Sequence, residues 1–400
     1  MLNTNTRYSM HKIMISVMIF LFALDFCDLG AIFLVGAFAV YLLYSISGEY
    51  KLVVNFDFLF LFALFSIYII IAISNEYYID NIAHILLYWI GPAISYFLGY
   101  NLLCKDINMK LDTLIWLLCS GFFIHGALNF FNTYYILGGT SRNIIDIWFN
   151  GILSATLQSI YFTMIMGMLF YAIFYEDSKI KKYILLIFIF IGIANALTTA
   201  TRTPLYILVF VFCLSFTYYL ILNSKKVKVV ARFTMILLGF CFALYYAYYL
   251  DIFGLKTYSE SSALFLRFNG FNDYSAVDDP RVERWTKTLI YMFDYPMGGL
   301  ELRRLTDGYA HNLWLDVIHI AGIIPAVLLL MHSIGTCITF VKFIRSKKIS
   351  EKTKFLFIGI FVSVMLNLCT EPILDGAPYL FLSMCMINGA AKRLVQIGEF

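Results

Sequence analysis

The feature that most constrains this chain is the succession of long apolar runs that fills almost all of it. Of its 400 residues, 61% are hydrophobic and 14% are charged, whereas about 25% of the residues in a typical soluble domain are charged. Most runs reach the roughly 20 residues that a helix needs to cross a bilayer. Spanning strands would instead alternate over segments of about 10 residues. The sequence therefore predicts an all-α, polytopic transmembrane helical protein and excludes a soluble enzyme.

Twelve apolar runs organise the chain, and we predict about twelve spans in a single integral membrane domain covering residues 1–400. The runs fall at 11–27, 29–47, 56–74, 82–103, 112–137, 151–175, 182–199, 204–222, 231–252, 312–341, 355–371 and 374–391. The first two are separated only by Asp25-Phe26-Cys27-Asp28. Because no A-x-A cleavage site follows the first run, we expect that run to be retained as a span.

Positive charges are distributed unevenly between the two sides of the predicted membrane domain. With the N-terminus inside, 20 of the 29 Lys and Arg residues fall in segments assigned to the cytoplasm. Cytoplasmic loops carry such an excess, so both ends of the chain are predicted to be cytoplasmic. Of the other nine, seven lie in one long extracytoplasmic loop at residues 253–310, and Arg142 and Arg202 lie in short outer loops.

The long loop contains a predicted amphipathic helix at about residues 280–293, with Asp279 as N-cap and Pro280 as first residue. Its apolar face comprises Val282, Trp285, Leu289, Met292 and Phe293, and its polar face comprises Arg281, Arg284 and Thr288. A turn at Pro296-Met297-Gly298-Gly299 ends it. We expect the helix to lie on the bilayer surface and to direct Arg281 and Arg284 toward an anionic substrate. The alternative is that both arginines bind lipid headgroups only.

His311 is the strongest single candidate for a catalytic side chain. It stands beside Asn312 at the start of the predicted tenth span, where water and membrane are both within reach. A neutral imidazole there can act as a general base, because His titrates near neutral pH; the alternative is a His that hydrogen-bonds locally. Asp316 lies three residues before His319 and is interpreted mainly as its structural partner. The remaining polar positions in or beside spans are interpreted as satisfied helix or turn positions, namely His84, His125, Asp25 and Asp28.

Two outer-loop arginines and one boundary carboxylate complete the candidate set. Arg202 precedes a predicted helix start at Pro204, and a helix N-terminus beside an Arg favours anion binding; the alternative is an Arg that snorkels to headgroups. Arg142 lies between the fifth and sixth spans, and its alternative interpretation is an ion pair with Asp146. Glu371 closes the eleventh span, and ionisable groups at such positions are functional candidates.

The order of these motifs resembles the O-antigen polymerase and O-antigen ligase superfamily. The matching residues are Arg202, Arg281-Val282-Glu283-Arg284-Trp285, Pro296-Met297-Gly298-Gly299, and His311-Asn312 followed by Gly322. The resemblance extends to the topology throughout, but its motifs lie only between about residues 200 and 325. The chain departs from the family pattern in having Thr203-Pro204 after the first Arg and a shorter glycine turn.

The resemblance implies a metal-independent, GT-C-like membrane glycosyltransferase without cofactors. Such proteins act at the periplasmic face of the bacterial inner membrane on glycans carried by undecaprenyl pyrophosphate. Arg202, Arg281 and His311 match the family's catalytic positions. Substrate-binding roles are expected for Arg284, Arg142, Asn312 and Glu371. The chemistry is consistent, because arginines stay charged and present planar donors to phosphate oxygens, and such donors stabilise a departing pyrophosphate.

Three functions remain open from the sequence. The first is a polymerase that transfers the growing surface polysaccharide from undecaprenyl pyrophosphate to a new lipid-linked repeat unit. The second is a ligase that transfers the finished glycan to lipid A–core, and the third is a flippase or transporter without a catalytic step. Transporters often place polar groups near the bilayer midplane, whereas the candidate charged residues of this chain lie at the predicted outer boundary of the membrane. Expected partners are the lipid-linked oligosaccharide, membrane lipids, a chain-length regulator and a flippase, and no nucleic acid.

Overall fold

The computed structural model describes residues 4–48, 50–77, 82–104, 109–139, 142–223, 246, 249–250 and 280–399. Helices account for 78% of the structure and strands for 1%, which confirms the all-α prediction. The two strands are β1 (Ile144–Ile145) and β2 (Ile152–Leu153), and they pair antiparallel. The helices of the first half are α1 (Thr4–Leu24), α2 (Gly30–Ile46), α3 (Phe56–Ser74), α4 (Ile82–Leu102), α5 (Leu111–Phe131), α6 (Ala155–Ile160), α7 (Thr163–Gly167), α8 (Leu169–Phe174), α9 (Lys179–Thr198) and α10 (Thr203–Leu222).

The second half continues with a long polar segment and further apolar helices. Its described helices are α11 (Pro280–Tyr291), α12 (Leu300–Leu305), α13 (Leu313–Ala321), α14 (Ile323–Arg345), α15 (Glu351–Thr370), α16 (Ile373–Gly376) and α17 (Pro378–Glu399). A 3₁₀ turn at Phe26–Asp28 separates α1 from α2, and a π-helical turn at Asn132–Ile136 extends α5. The short polar break between the first two runs is therefore a genuine helix boundary.

Within the described residues, seven helical segments are long and apolar enough to cross a membrane, so the protein is membrane-embedded. They are Phe56–Ser74, Ile85–Leu102, Leu111–Ile136, Lys179–Thr198, Thr203–Leu222, Ile323–Arg345 and Glu351–Thr370. The apolar stretches Met10–Leu24 and Gly30–Ile46 are shorter. The predicted run at 231–252 lies outside the described residues, apart from residues 246, 249 and 250. The count of twelve spans stays a prediction.

Helices α4 and α17 pack with their backbones in close contact at the centre of the helical bundle. A Cβ atom added to Gly99 of α4 would lie 1.7 Å from the carbonyl oxygen of Met386, and one added to Gly389 of α17 would lie 2.2 Å from that of Tyr96. Small residues at facing positions allow membrane helices to approach this closely. The close approach buries the middle of α17, which explains how this helix can carry Asn388 inside the bundle.

The apolar run at 151–175 does not form one continuous span. It is divided into α6, α7 and α8 by turns at residues 161–162 and 168. Ser154 caps the first piece by accepting a hydrogen bond from the Leu157 amide. Thr163 at the start of α7 accepts a hydrogen bond from the Asn367 amide group of α15 at 2.5 Å. The breaks thus accompany close packing of α7 against α15, a tertiary contact that hydropathy does not report.

The prediction that His311 and Asn312 begin a membrane-spanning helix over 312–341 is wrong. The chain forms the nine-residue helix α13, breaks at Gly322, and only then forms the 23-residue helix α14. Gly322 has a φ of +80°, a left-handed conformation that residues with a Cβ rarely adopt. His311 therefore precedes a short helix that lies between the long polar segment and the span.

The turn at Pro296–Gly299 docks onto this break. The Ile323 amide donates to the Pro296 carbonyl oxygen at 2.9 Å, and the Gly299 amide donates to the His319 carbonyl oxygen at 2.8 Å. The side-chain amide of Asn75, just beyond α3, donates to the Met297 carbonyl oxygen at 2.7 Å. The end of the polar segment is thereby fixed against both α13 and the end of α3.

The predicted amphipathic helix is confirmed as α11, which ends at Tyr291 rather than at 293. Its polar face turns inward: Thr288 is fully buried and its hydroxyl contacts His319 Nε2 at 2.8 Å. Its apolar face is exposed at Leu289, Ile290 and Phe293. This orientation points the arginine-bearing face at the protein and leaves an apolar surface suited to contact with lipid.

Replacing Gly322 with alanine is expected to destabilise the protein by about 2 kcal/mol or more. The added Cβ would lie 2.1 Å from the Pro296 carbonyl oxygen, and backbone atoms must move to admit it. Thermal unfolding of the purified protein in detergent measures the effect. Gly335→Ala in the same helix α14 is the matched control, because nothing lies within 4 Å of its added Cβ. Equal unfolding temperatures for the two variants would contradict the role of the break.

Candidate functional site

His311 lies in a strained backbone conformation that its neighbours hold in place. Its φ is +56°, in the left-handed region that residues other than glycine seldom occupy. The Trp285 indole of α11 donates to the Ala310 carbonyl oxygen at 2.6 Å. Arg284 NH1 lies 3.4 Å from the Tyr309 carbonyl oxygen. Helix α11 thus contacts the two peptide groups immediately before His311.

Asp316 clamps the same loop from the other side. This carboxylate is buried, and it accepts hydrogen bonds from the Ala310 amide at 2.9 Å and from the Asn312 amide at 3.3 Å. The two amides flank His311, so one carboxylate determines the path of the backbone on both sides of it. His319, the expected partner of Asp316, instead hydrogen-bonds Thr288 through Nε2. Strain of this kind persists where surrounding contacts over-determine it, and it clusters at functional sites.

Asn312 connects the His311 loop to the end of α15. Its side-chain oxygen caps α13 by accepting from the Trp314 and Leu315 amides. Its side-chain nitrogen donates to the Cys369 carbonyl oxygen at 3.1 Å, two residues before Glu371. These contacts give Asn312 a structural role in addition to the substrate-binding role that we predict for it.

Glu371 joins three segments that are far apart in the sequence. The Thr203 hydroxyl at the start of α10 donates to Glu371 Oε1 at 2.8 Å, and Arg281 NH2 of α11 lies 3.6 Å from Oε2. The carboxylate is 1% exposed, whereas the Arg281 side chain is 36% exposed. Burial raises the pKa of Glu371 above its usual range, and Arg281 and Thr203 partly oppose that shift. The end of the long polar segment therefore does fold back onto the loop that carries Arg202.

Arg202 is the N-cap residue of α10, next to the Thr203 that Glu371 holds. This confirms the expected helix start beside Arg202. Arg142 lies against the same loop, since its Nε donates to the Thr199 carbonyl oxygen at 2.9 Å. The alternative pairing of Arg142 with Asp146 is not found. Arg142 therefore helps to shape the loop at residues 199–202.

Asp146 forms a separate buried cluster. It lies 2.9 Å from His125 Nε2 and 3.2 Å from the Asn129 side-chain nitrogen, and it accepts the Trp148 amide at 2.8 Å. We predict a satisfied helix position for His125, and its hydrogen bond with Asp146 accounts for Nε2. This cluster anchors the segment after Arg142 to α5 and so fixes where Arg142 emerges.

Burial and neighbouring charge keep the imidazole of His311 neutral. Burial, followed by repulsion of the protonated form by Arg281 and then Arg284, lowers the pKa of His311 from its ordinary value to about 4. The pKa shift indicates that both arginines act on His311 electrostatically. The arrangement places a neutral imidazole within electrostatic range of the guanidinium groups of Arg281 and Arg284.

Two residues that hold this site were not identified as functional from the sequence. Asp316 was interpreted as a partner of His319, and Trp285 was assigned to the apolar face of α11. The spacing Asn312-x-x-x-Asp316 is the one sequence signal that suggests a capped turn with a carboxylate on the same helix. Nothing local in the sequence indicates that the Trp285 indole reaches Ala310, which lies 25 residues away.

Removing the Asp316 carboxylate is expected to release the His311 loop. Asp316→Ala leaves the Ala310 and Asn312 amides without their buried acceptor, so His311 should react severalfold faster with diethyl pyrocarbonate, as measured by mass spectrometry of the purified protein. Asp307→Ala is the control, because Asp307 is an exposed carboxylate that pairs with Lys287. Unchanged reactivity of His311 in Asp316→Ala would show that other contacts position it.

Acidification is expected to destabilise the protein partly through His311. The unfolded residue takes up a proton below about pH 6.5, whereas the folded one does so only near pH 4. Between these values the unfolded state binds more protons. The stability contributed by neutral His311 is therefore present above about pH 6.5 and is lost as the pH falls toward about 4. Unfolding temperatures should fall more steeply with acidification for the wild type than for His311→Gln, and parallel profiles would contradict the assignment.

Comparisons with known proteins do not supply a relative from which function can be transferred. The chain matches no family model and no curated protein. Its likeness to the O-antigen polymerase and O-antigen ligase superfamily is therefore a resemblance carried by short motifs and their order. Function must be inferred from the side chains that the fold brings together.

Proposed function

We propose that this protein is a surface-polysaccharide polymerase of the inner membrane. It would transfer a growing glycan from undecaprenyl pyrophosphate to a new lipid-linked repeat unit at the periplasmic face. The observation that carries the proposal is the shared carboxylate of Glu371, which joins Arg281 of the long segment to Thr203 beside Arg202. His311 lies within the electrostatic range of Arg281 and Arg284.

The arginines suit an anionic donor. A pyrophosphate leaving group carries several charged oxygens, and each charge-assisted hydrogen bond to it contributes about 1.5–3 kcal/mol. Arg281 is partly exposed while its partner Glu371 is buried. Glu371 therefore orients this partly exposed guanidinium. Arg202 lies at the N-terminus of α10, so the partial positive charge of the helix end adds to the charge of its guanidinium.

His311 suits the acceptor. Its neutral imidazole can accept the hydrogen bond of the attacking sugar hydroxyl. As the hydroxyl oxygen bonds to the anomeric carbon, the bond from that carbon to pyrophosphate breaks, the hydroxyl proton passes to His311, and the arginines stabilise the departing charge. Besides burial, Arg281 and Arg284 lower the pKa of His311. A bound pyrophosphate would neutralise them, so donor binding would make His311 a stronger base.

The surroundings suit a lipid-linked substrate. The exposed apolar side chains of α11 lie on the face away from its buried Thr288 and its two arginines. We expect a lipid carrier to contact this apolar face, with its pyrophosphate reaching around the helix to the arginines. The positive-inside pattern assigns this region to the periplasmic side. That assignment, like the polymerase activity, is part of the proposal.

The surface glycan of a deletion strain tests the polymerase against its rivals. A polymerase defect should leave a core that bears one repeat unit. A bare core with accumulating lipid-linked polymer would identify a ligase instead. Failure of lipid-linked units to reach the outside of the cytoplasmic membrane would identify a flippase.

Complementation of that strain tests the residues. His311→Ala and Arg202→Ala should each reduce polymer by at least about 10²-fold, the lower range for loss of a catalytic proton-transfer group or a charge-stabilising donor. Arg281→Lys should also impair polymerisation, because lysine cannot make a planar two-donor contact. Arg304→Lys is the control, since the Arg304 side chain is 73% exposed and pairs with Glu301. Wild-type polymer from any of the three site variants, at equal membrane expression, would remove that residue from the mechanism.

A further inference from the structure

A polar cavity lies at the opposite end of α3 from the His311 site. Asp57 is in the first turn of α3, whereas Asn75, just beyond its last turn, contacts Met297 and Ile320 near the break at Gly322. Helix α3 has 19 residues and is therefore about 28 Å long at about 1.5 Å per residue. This distance is close to the thickness of a bilayer core, about 30 Å. The cavity is therefore separate from the site described above.

We propose that this cavity binds the headgroup of a zwitterionic aminophospholipid, such as phosphatidylethanolamine, from the adjoining leaflet. The cavity has a volume of about 210 Å³ and lies between α3, α14 and α17. Its polar lining consists of Asp57, His332, Thr336, Thr339 and Asn388. By the charge pattern, this end of α3 is on the cytoplasmic side.

The mouth of the cavity opens toward lipid. Phe56 and Met331, which line it, are 76% and 56% exposed. On the same two helices, Leu59, Ile334 and Ile338 are also exposed hydrophobic side chains. Such faces contact hydrocarbon in a membrane. A polar cavity beside hydrocarbon requires a polar occupant, because an unsatisfied polar group there costs several kcal/mol.

A carboxylate in the cavity wall and a lysine that contacts it from beside the cavity match a headgroup that carries both signs. Asp57 Oδ2 accepts a hydrogen bond from the Tyr96 hydroxyl at 2.8 Å and lies 3.2 Å from Lys392 Nζ. Within the described part of the chain, Oδ1 of Asp57 has no hydrogen-bond donor. The side chains of Asp57 and Lys392 are 32% and 34% exposed. An ammonium group can donate to Oδ1 while the adjacent phosphate contacts Lys392.

The inner end of the cavity adds neutral hydrogen-bonding groups. Asn388 donates to the Thr336 hydroxyl at 2.9 Å, and His332 Nε2 lies 3.5 Å from the same hydroxyl. The second amide hydrogen of Asn388 is not used in this contact, so it can serve phosphate or ester oxygens. A purely anionic headgroup would meet the Asp57 carboxylate, and a quaternary ammonium has no N–H to donate. Both are expected to bind less well.

Lipid binding to the purified full-length protein tests the proposal by native mass spectrometry and thermal unfolding. Phosphatidylethanolamine should bind at least about tenfold more tightly than phosphatidylcholine or phosphatidylglycerol of the same acyl chains, a difference of about 1.4 kcal/mol. Asp57→Asn should remove the preference for ethanolamine over choline. Asp177→Asn is the matched control, because Asp177 is an 86% exposed carboxylate that pairs with Lys352. The lipid preference of Asp177→Asn should equal that of the wild type.

A second variant guards against misfolding of the first. Lys392→Gln should weaken both phosphatidylethanolamine and phosphatidylcholine, because both carry the phosphate, while their order of affinity is kept. Three results would overturn the proposal. The wild type could bind the two lipids equally, or it could bind phosphatidylglycerol most tightly. Folded Asp57→Asn could also keep the preference for ethanolamine over choline. The readout is lipid binding, so its outcome is independent of the proposed polymerase activity.

Discussion

The contact between the Pro296–Gly299 turn and the break at Gly322 is the constraint on which the rest of the site depends. A side chain at Gly322 would collide with the Pro296 carbonyl oxygen, so only glycine permits the approach. Once the turn is docked, α11 before it and α13 beside it are fixed relative to each other. Trp285 and Arg284 then reach the loop before His311, and Thr288 reaches His319. This backbone contact thus positions α11 for its side-chain contacts with the His311 loop and with α13.

A second constraint is electrostatic. One buried carboxylate, Glu371, serves both Arg281 and Thr203. Burial, with the positive charge of Arg281 and Arg284, keeps His311 neutral. A buried carboxylate that lacked these partners would favour its protonated form. The proposed order of events, in which donor binding strengthens the base, follows from the charges of the two arginines and not from any movement of the chain.

Helix α3 connects the proposed catalytic site with the proposed lipid cavity. Asn75 beyond its last turn supports the docked turn near the proposed catalytic site, while Asp57 in its first turn lines the proposed lipid cavity. The two sites therefore share one helix across the bilayer. They differ in chemistry: the first gathers arginines for a strongly anionic group, and the second pairs Asp57 with Lys392 for a headgroup of both signs.

The sequence by itself determined the helical, membrane-embedded class, the amphipathic helix at Pro280–Tyr291 and the helix start at Arg202, because hydropathy, capping and charge are local properties. It also selected Arg202, Arg281, Glu371 and His311 as candidates. Tertiary structure alone decided that the turn at Pro296–Gly299 docks onto the break at Gly322, that Trp285 contacts the loop before His311, and that Asp146 contacts His125 rather than Arg142. These outcomes depend on contacts between segments distant in the chain. Hydropathy describes only how each segment meets the solvent or the bilayer, so it cannot choose among such contacts.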